Sequence, residues 1–259
     1  MKKNPLVSII VNCHNGEKFL QSCVNSIINQ KYKNWELIFW DNCSSDKSNQ
    51  IIKSYKNKKI KIYKNKIFTS LYKARNLAIK KSSGKYICFL DTDDEMCREK
   101  IFKQVKFLEQ NKNYKIVYSN FFIKKQNKKN LIKAYRKSFK SGRITKELIN
   151  DYSIGILTTM LNRSVFKFLK FNNRFNIIGD FDLFLKSSLK YNIAYINEPL
   201  AIYRIHNSNF STKNLNQHIS ELEYWIKFNF NKFKKKNIFL FQPKYNLFNF
   251  KIRYFIKNL

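Results

Sequence analysis

Three carboxylates, Asp91, Asp93 and Asp94, fall within four positions at the end of the run Tyr86–Glu95, YICFLDTDDE. The apolar residues ahead of them form the pattern of a buried strand that stops where its charges begin. Like charges held this close repel unless a cation sits among them. One solution is a divalent ion, Mn²⁺ or Mg²⁺, held by one or two of the carboxylates and completed by the phosphates of a nucleotide substrate. The other is a helix start, because TDDE can cap and charge the first turn of the amphipathic stretch EKIFKQVKFL that follows. Spacing alone does not separate the two.

The elements around this cluster read as alternating strands and helices. LVSIIV, WELIFW, IKIY, YICFL and KIVYS, which start at Leu6, Trp35, Ile60, Tyr86 and Lys115, are short runs rich in β-branched and aromatic residues. Between them EKFLQSCVNSIINQ, SDKSNQIIKSY, SLYKARNLAIKK and EKIFKQVKFLEQ place apolar residues at helical spacing. Such alternation implies an α/β fold whose mostly parallel sheet is flanked by helices. Ligands then bind at the carboxyl ends of the strands, and three of those ends read NCHNG, DNCSSD and DTDDE. From residue 121 the pattern loosens into a lysine-rich hairpin or loop, and residues 212–259 read as helical, basic and aromatic-rich.

The chain carries 51 Lys and Arg against 17 Asp and Glu, a formal net charge of +34. Attraction to a polyanion follows from that charge, yet only 8 of the basic residues are Arg, the type that planar recognition of phosphates and bases prefers. A lysine-biased solvated surface therefore accounts for most of the excess, and no specific nucleic-acid partner is expected. An anionic membrane surface remains as a partner. No apolar run reaches membrane-spanning length, and the polar start lacks a cleavable leader, so a cytoplasmic protein is expected, at most peripheral on the inner face of the membrane. The five cysteines are odd in number and form no CxxC pair, which fits reduced, structural thiols.

From Leu6 to Ser211 the chain resembles the family 2 glycosyltransferases of the GT-A fold. VSIIVNCHNGEKFLQSCVNSIINQKYKNWELIFWDNCSSDKS is similar to that family's nucleotide-binding half, and SLYKARNLAIKKSSGKYICFLDTDDE to its stretch from an Arg-Asn segment to the DxD motif. The resemblance implies a metal-dependent, inverting transfer of a sugar from a nucleoside diphosphate sugar, UDP-linked, to a saccharide or lipid-linked saccharide. Such a reaction belongs to bacterial surface polysaccharide or lipooligosaccharide synthesis. It places Asn12, His14, Asn15, Asp41, Arg75, Asp91 and Arg204 around the donor. Asp41 would accept from a uracil ring N–H, Arg75 would lie near the diphosphate and Arg204 on its oxygens. Asp93 would hold the Mn²⁺ or Mg²⁺ ion, with Asp91 and His206 completing the site. Asp180, in IIGDFDLFLK, falls on the Asp of a Glu-Asp motif and would be the catalytic base; Gly179 stands where the resemblance implies Glu.

Other departures are Asn42 and Cys43 in place of Asp and Gly after Asp41, and Ser70 in place of a Gly ahead of the Arg-Asn segment. Losing glycines restricts the backbone near the nucleotide. The division expected is a GT-A domain over 1–211, with a nucleotide-binding half at 1–120 and an acceptor-side half at 121–211, followed by a helical extension over 212–259. Two other readings stand beside this one. A nucleotidyltransferase would share the sheet but grip a triphosphate with a Gly-rich, basic loop, whereas NCHNGEKFL has one Gly and no such loop. A non-catalytic basic module would bind nucleic acid or membrane in a salt-sensitive, metal-indifferent way.

Overall fold

The structure is a computed structural model that describes residues 4–126, 128, 130–207 and 209–257. The outer ends of the two expected regions, residues 1–3 and 258–259, lie outside the described residues. Four strands form the first half: β1 (Val7–Cys13), β2 (Trp35–Asp41), β3 (Ile60–Lys64) and β4 (Tyr86–Asp91). They are joined by α1 (Glu17–Ile28), α2 (Ser48–Ser54) and α3 (Leu71–Lys81). All three pairings among these strands are parallel, in the order β3-β2-β1-β4, so β1 is flanked by β2 and β4. The chain builds outward from β1 to β3 and then crosses back to place β4 on the other side. That switch point is where open α/β sheets bind ligands.

Beyond β4 come β5 (Glu95–Met96), α4 (Lys100–Gln110), β6 (Tyr114–Lys125), β7 (Leu131–Lys133), α5 (Thr145–Asn150) and β8 (Met160–Asn162). The rest is α6 (Gly179–Ser188), β9 (Asn192–Ile205), α7 (Phe210–Lys213), α8 (Leu215–Lys234) and α9 (Phe241–Lys257). Here the sheet is mixed rather than mostly parallel. β8 runs antiparallel to both β4 and β6, β5 pairs antiparallel with β9, and only β6 and β9 are parallel. The lysine-rich stretch after residue 121 is a hairpin, in which β6 continues to Lys125 and returns as β7.

Alternation along the strands divides the core into two layers. Ile9, Val11, Phe39, Cys88 and Leu90 face one layer, filled by α1 and α4 through Leu20, Val24, Ile101 and Val105. Ile10, Ile38, Ile87 and Phe89 face the other, filled by α3, α6 and α8 through Ala78, Phe184 and Trp225. α8 is thus built into the core, and Trp225 and Phe233 are fully buried. All five cysteines are free thiols, and burial pushes those of Cys13, Cys23, Cys88 and Cys97 up, as inert structural thiols require. Among the described residues no helix is long and apolar enough to cross a membrane.

Candidate active site

The register sets the first part of the site. Asn12 lies beside Asp91, and Cys13 beside Asp41, so the ends of β1, β2 and β4 form one edge. The loops leaving them are tied together. Asn15 donates its N–H to Ser44 Oγ at 3.0 Å and accepts from the Ser45 N–H at 2.9 Å, while Gly16 N–H reaches Ser48 Oγ. Both loops need a left-handed residue, Asn15 at φ 54° and Cys43 at φ 64°. Cys43 therefore keeps the backbone shape of the glycine it replaces, at the steric cost that a side chain pays there. Ser70 needs no such freedom: at φ −59° it caps α3, its side chain accepting from the Lys73 N–H.

Asp41 also serves the loop that follows it. Its carboxylate is fully buried; Oδ1 accepts from the Ser44 N–H at 2.9 Å and Oδ2 from Asn49 Nδ2 at 2.8 Å. Both oxygens thus help to shape the loop after β2, each accepting one hydrogen bond, and Lys64 Nζ lies 3.9 Å from Oδ2. His14 is exposed, its Nδ1 3.0 Å from the Asn42 carbonyl and its ring 4.6 Å from that of Phe68. A cleft of about 520 Å³, lined by Cys43, Ser44, Lys64, Asn65 and Lys66, opens beside this loop.

The carboxylate cluster does not cap a helix. α4 begins only at Lys100, after β5, which removes the capping alternative. Each acid instead has its own partner. Arg75 Nη2 donates to Asp91 Oδ1 at 2.5 Å, from a nearly fully buried guanidinium that lies over the Tyr72 and Phe171 rings. Asp93 Oδ2 is 2.9 Å from His206 Nε2. Asp94 Oδ1 accepts from the Arg204 N–H at 3.0 Å. Burial, and then Asp91, raise the pKa of Asp93, and burial with both neighbouring acids raises that of Asp94 well above the carboxylate range. Arg204 points inward, donating from Nε to the Asp93 carbonyl and from Nη2 to Glu95. Its placement pins β9 to the turn after β4.

Asp180 comes from far along the chain. It lies in the first turn of α6, where Oδ1 accepts from the Phe181 N–H at 2.8 Å and from the Tyr72 hydroxyl at 3.2 Å. Tyr72 also donates to the Ile177 carbonyl, and its ring carries Arg75, so Asp180, Tyr72, Arg75 and Asp91 form one connected path. Burial pushes the Asp180 pKa up despite the opposing charge of Arg75. Gly179 is demanded by this path, because an added Cβ would lie 2.4 Å from Tyr72 Cδ2. Asp182, two residues on, turns to the opposite side and is buried between Trp225 Nε1 and Lys186 Nζ, at 2.9 and 2.7 Å.

Could these residues hold a divalent ion? Among the described residues no group of three or more His, Cys, Asp or Glu side chains is disposed as a metal cage. Asp93 and His206 form a two-ligand set, a carboxylate and an imidazole, which suits an ion whose remaining positions are filled by phosphate and water. An independent observation lies next to Asp91. Asn12 is 8% exposed, and neither its Oδ1 nor its Nδ2 has a hydrogen-bond partner. Buried polar groups without partners cost about 1–3 kcal/mol each, so a polar ligand at this edge would offset an existing penalty. The residues present fit a cation that arrives with a diphosphate.

Comparison with known proteins agrees with the geometry. The family model for glycosyl transferase family 2 matches residues 8–192. A UDP-Glc:alpha-D-GlcNAc-diphosphoundecaprenol beta-1,3-glucosyltransferase of Escherichia coli, WfgD, is 32% identical over 193 residues, 74% of this chain and 73% of that protein. Among solved structures, Staphylococcus aureus TarS 1–349 in complex with UDP-GlcNAc superposes with a TM-score of 0.68 at 18% identity, over 85% of this chain and 66% of that one. The mannosyltransferase PcManGT of Pyrobaculum calidifontis, in complex with GDP-Man and Mn²⁺, does so with a TM-score of 0.64 at 12% identity, over 87% of this chain and 64% of that one. The chain therefore spans just under two thirds of each of these two solved chains.

Proposed function

Since the chain belongs to glycosyl transferase family 2, we propose that it moves a sugar from a UDP-linked donor to a saccharide or lipid-linked saccharide acceptor, with inversion, in bacterial surface polysaccharide synthesis. The observation that supports this most is the convergence of three distant segments: Asp91 and Asp93 at the end of β4 and just beyond it, Asp180 on α6 and His206 after β9. UDP as the nucleotide is favoured by WfgD, named for its UDP-Glc donor, and by TarS, which is in complex with UDP-GlcNAc. A screen of nucleotide sugars for slow hydrolysis tests the reading; release of no nucleotide from any donor, with or without acceptor, would overturn it.

In this mechanism the acceptor hydroxyl attacks the anomeric carbon from the face opposite the diphosphate. Asp180 takes the hydroxyl proton as the new bond forms, and the nucleoside diphosphate leaves. Asp93 and His206 would hold Mn²⁺ or Mg²⁺, which when bound offsets the charge of the diphosphate. Asn12 supplies a buried donor and acceptor to the donor molecule, and the exposed His14 and Phe68 rings offer a stacking surface for the base. Arg75 balances Asp91 and keeps that carboxylate pointed at the edge. Arg204 keeps the turn bearing Asp93 closed against β9.

The raised pKa of Asp180 has a consequence for pH. A general base works only when deprotonated, so the acid limb of kcat is expected above the ordinary carboxylate range near 4. Tyr72→Phe removes a hydrogen bond that favours the ionised form, and should move that limb further up. A kcat–pH profile with its acid limb at or below 4, unmoved by Tyr72→Phe, would contradict the assignment.

The acceptor side extends to a membrane. α9 sets Phe241, Tyr245, Phe248, Ile252 and Phe255 along one exposed face, while Leu247 and Phe250 pack inward. Its charged residues are all basic, and a second copy of the same face would therefore be repelled. An apolar stripe framed by Lys244, Lys251 and Arg253 suits an anionic lipid surface. Flotation with anionic vesicles but not with neutral ones is expected; equal behaviour with both would leave α9 as a solvated helix packed on the domain.

A further inference from the structure

α6 has no side-chain cap of its own. The three backbone N–H groups just ahead of it are nevertheless met, by a carboxylate from another helix. Glu221 of α8 accepts from the Asn176 N–H through Oε1 at 2.8 Å, and from the Ile177 and Ile178 N–H groups through Oε2 at 2.9 and 3.1 Å. The side chain is buried, and Gln217 Nε2 fixes its other lone pair at 3.1 Å. Across the same turn, α3 supplies the opposite grip. Asn176 Oδ1 accepts from the Leu71 N–H, and the single hydroxyl proton of Tyr72 is shared between the Ile177 carbonyl at 2.9 Å and Asp180 Oδ1 at 3.2 Å.

We propose that Glu221 is a positioning residue for the transfer reaction, fixing the 176–178 turn and through it the carboxylate of Asp180. The proposal rests on the reading of Asp180 as the base. The physical case is that a charged acceptor binding three adjacent N–H groups makes stronger and more directional bonds than a neutral one. It also sits at the positive end of α6, where its charge is favoured. Because the turn is held from α8 on one side and α3 on the other, loss of one grip lets the start of α6 shift relative to Tyr72 and Arg75. Displacement of a reacting group by about 1 Å costs on the order of 10²-fold in rate. Glu221 lies beyond the 8–192 span that matches the family model.

The test uses the full chain with UDP-Glc and UDP-GlcNAc as donors and follows UDP release. Glu221→Gln is expected to lower kcat by about 10²-fold with UDP affinity unchanged, and to raise hydrogen exchange at the 176–178 amides. In an Asp180→Asn background the same change should produce no further loss, because the two act on one step. Glu221→Asp, which retains the charge on a shorter stem, should fall between the wild type and Glu221→Gln and stands in should that variant fail to fold. Unaltered kcat in Glu221→Gln, or an equal loss in both backgrounds, would overturn the proposal and leave Glu221 as a stabilising contact only. Wild-type turnover in Asp180→Asn by itself would show instead that the base assignment had failed, and the proposal with it.

Discussion

Asp93→Ala is expected to lose transfer activity by roughly 10³-fold or more, the equivalent of several kcal/mol of charge stabilisation, while melting no lower than the unaltered protein. The two halves of that expectation have one cause. Asp93 is a carboxylate pressed between burial and the like charge of Asp91, and its pKa is raised even with His206 beside it. An acid whose folded-state pKa lies above its unfolded value is a net cost to the fold at neutral pH, so removing it relieves strain. The turn itself survives in alanine, because Arg204 holds the Asp93 carbonyl rather than its side chain. A carboxylate that costs stability while no cation is bound is what a cation site would require. Activity in excess chelator equal to that with Mn²⁺ or Mg²⁺ would show that the carboxylate serves some other end, and a large drop in Tm would show that it is structural.

Asp180→Asn is the second large effect, with turnover lower by ~10²–10⁴-fold and nucleotide affinity within about twofold of wild type. Asparagine preserves the acceptor oxygen used by the Tyr72 hydroxyl and the Phe181 N–H, so the start of α6 keeps its geometry. What it loses is the ability to take a proton. Asp182→Asn is the control. That carboxylate is spent on Trp225 and Lys186, away from the edge, so its amide should reduce stability more than it reduces kcat per folded molecule. If Asp182→Asn removed turnover and Asp180→Asn did not, the base would have to be sought two residues further on.

The first half of the fold was legible because parallel βα units write their period plainly. Every strand read from Leu6 to Leu90 is present, and DNCSSD and DTDDE do end on one edge. β8 was not legible: its three residues owe their pairing to β4 and β6, and carry no pattern of their own. Asp93 and His206, named together from the sequence for the metal site, lie side by side, while Asp91 and Asp180, named separately, are joined through Arg75 and Tyr72. The roles of Asp41 and Arg204 could not be read so easily, since residue type shows which hydrogen bonds a group can make and not which ones its neighbours have already taken. Tyr72 and Glu221 escaped notice for the same reason. Their partners stand 108 and about 45 positions away, and no local spacing marks a contact at that range.

The absence of a side chain at Gly179 couples two positions far apart in the chain. With a tyrosine at 72, whose ring fills the space where any Cβ at 179 would go, no larger residue can enter at 179. Reversing the order meets its own obstacle, for a smaller residue at 72 would strip the Asp180 carboxylate of a hydrogen-bond donor and Arg75 of the ring beneath it. Glu at 179 and Tyr at 72 are therefore sterically exclusive in this backbone. Grafting the Glu-Asp pair into this chain would be expected to fail, however well that pair works elsewhere, unless position 72 were rebuilt in the same step.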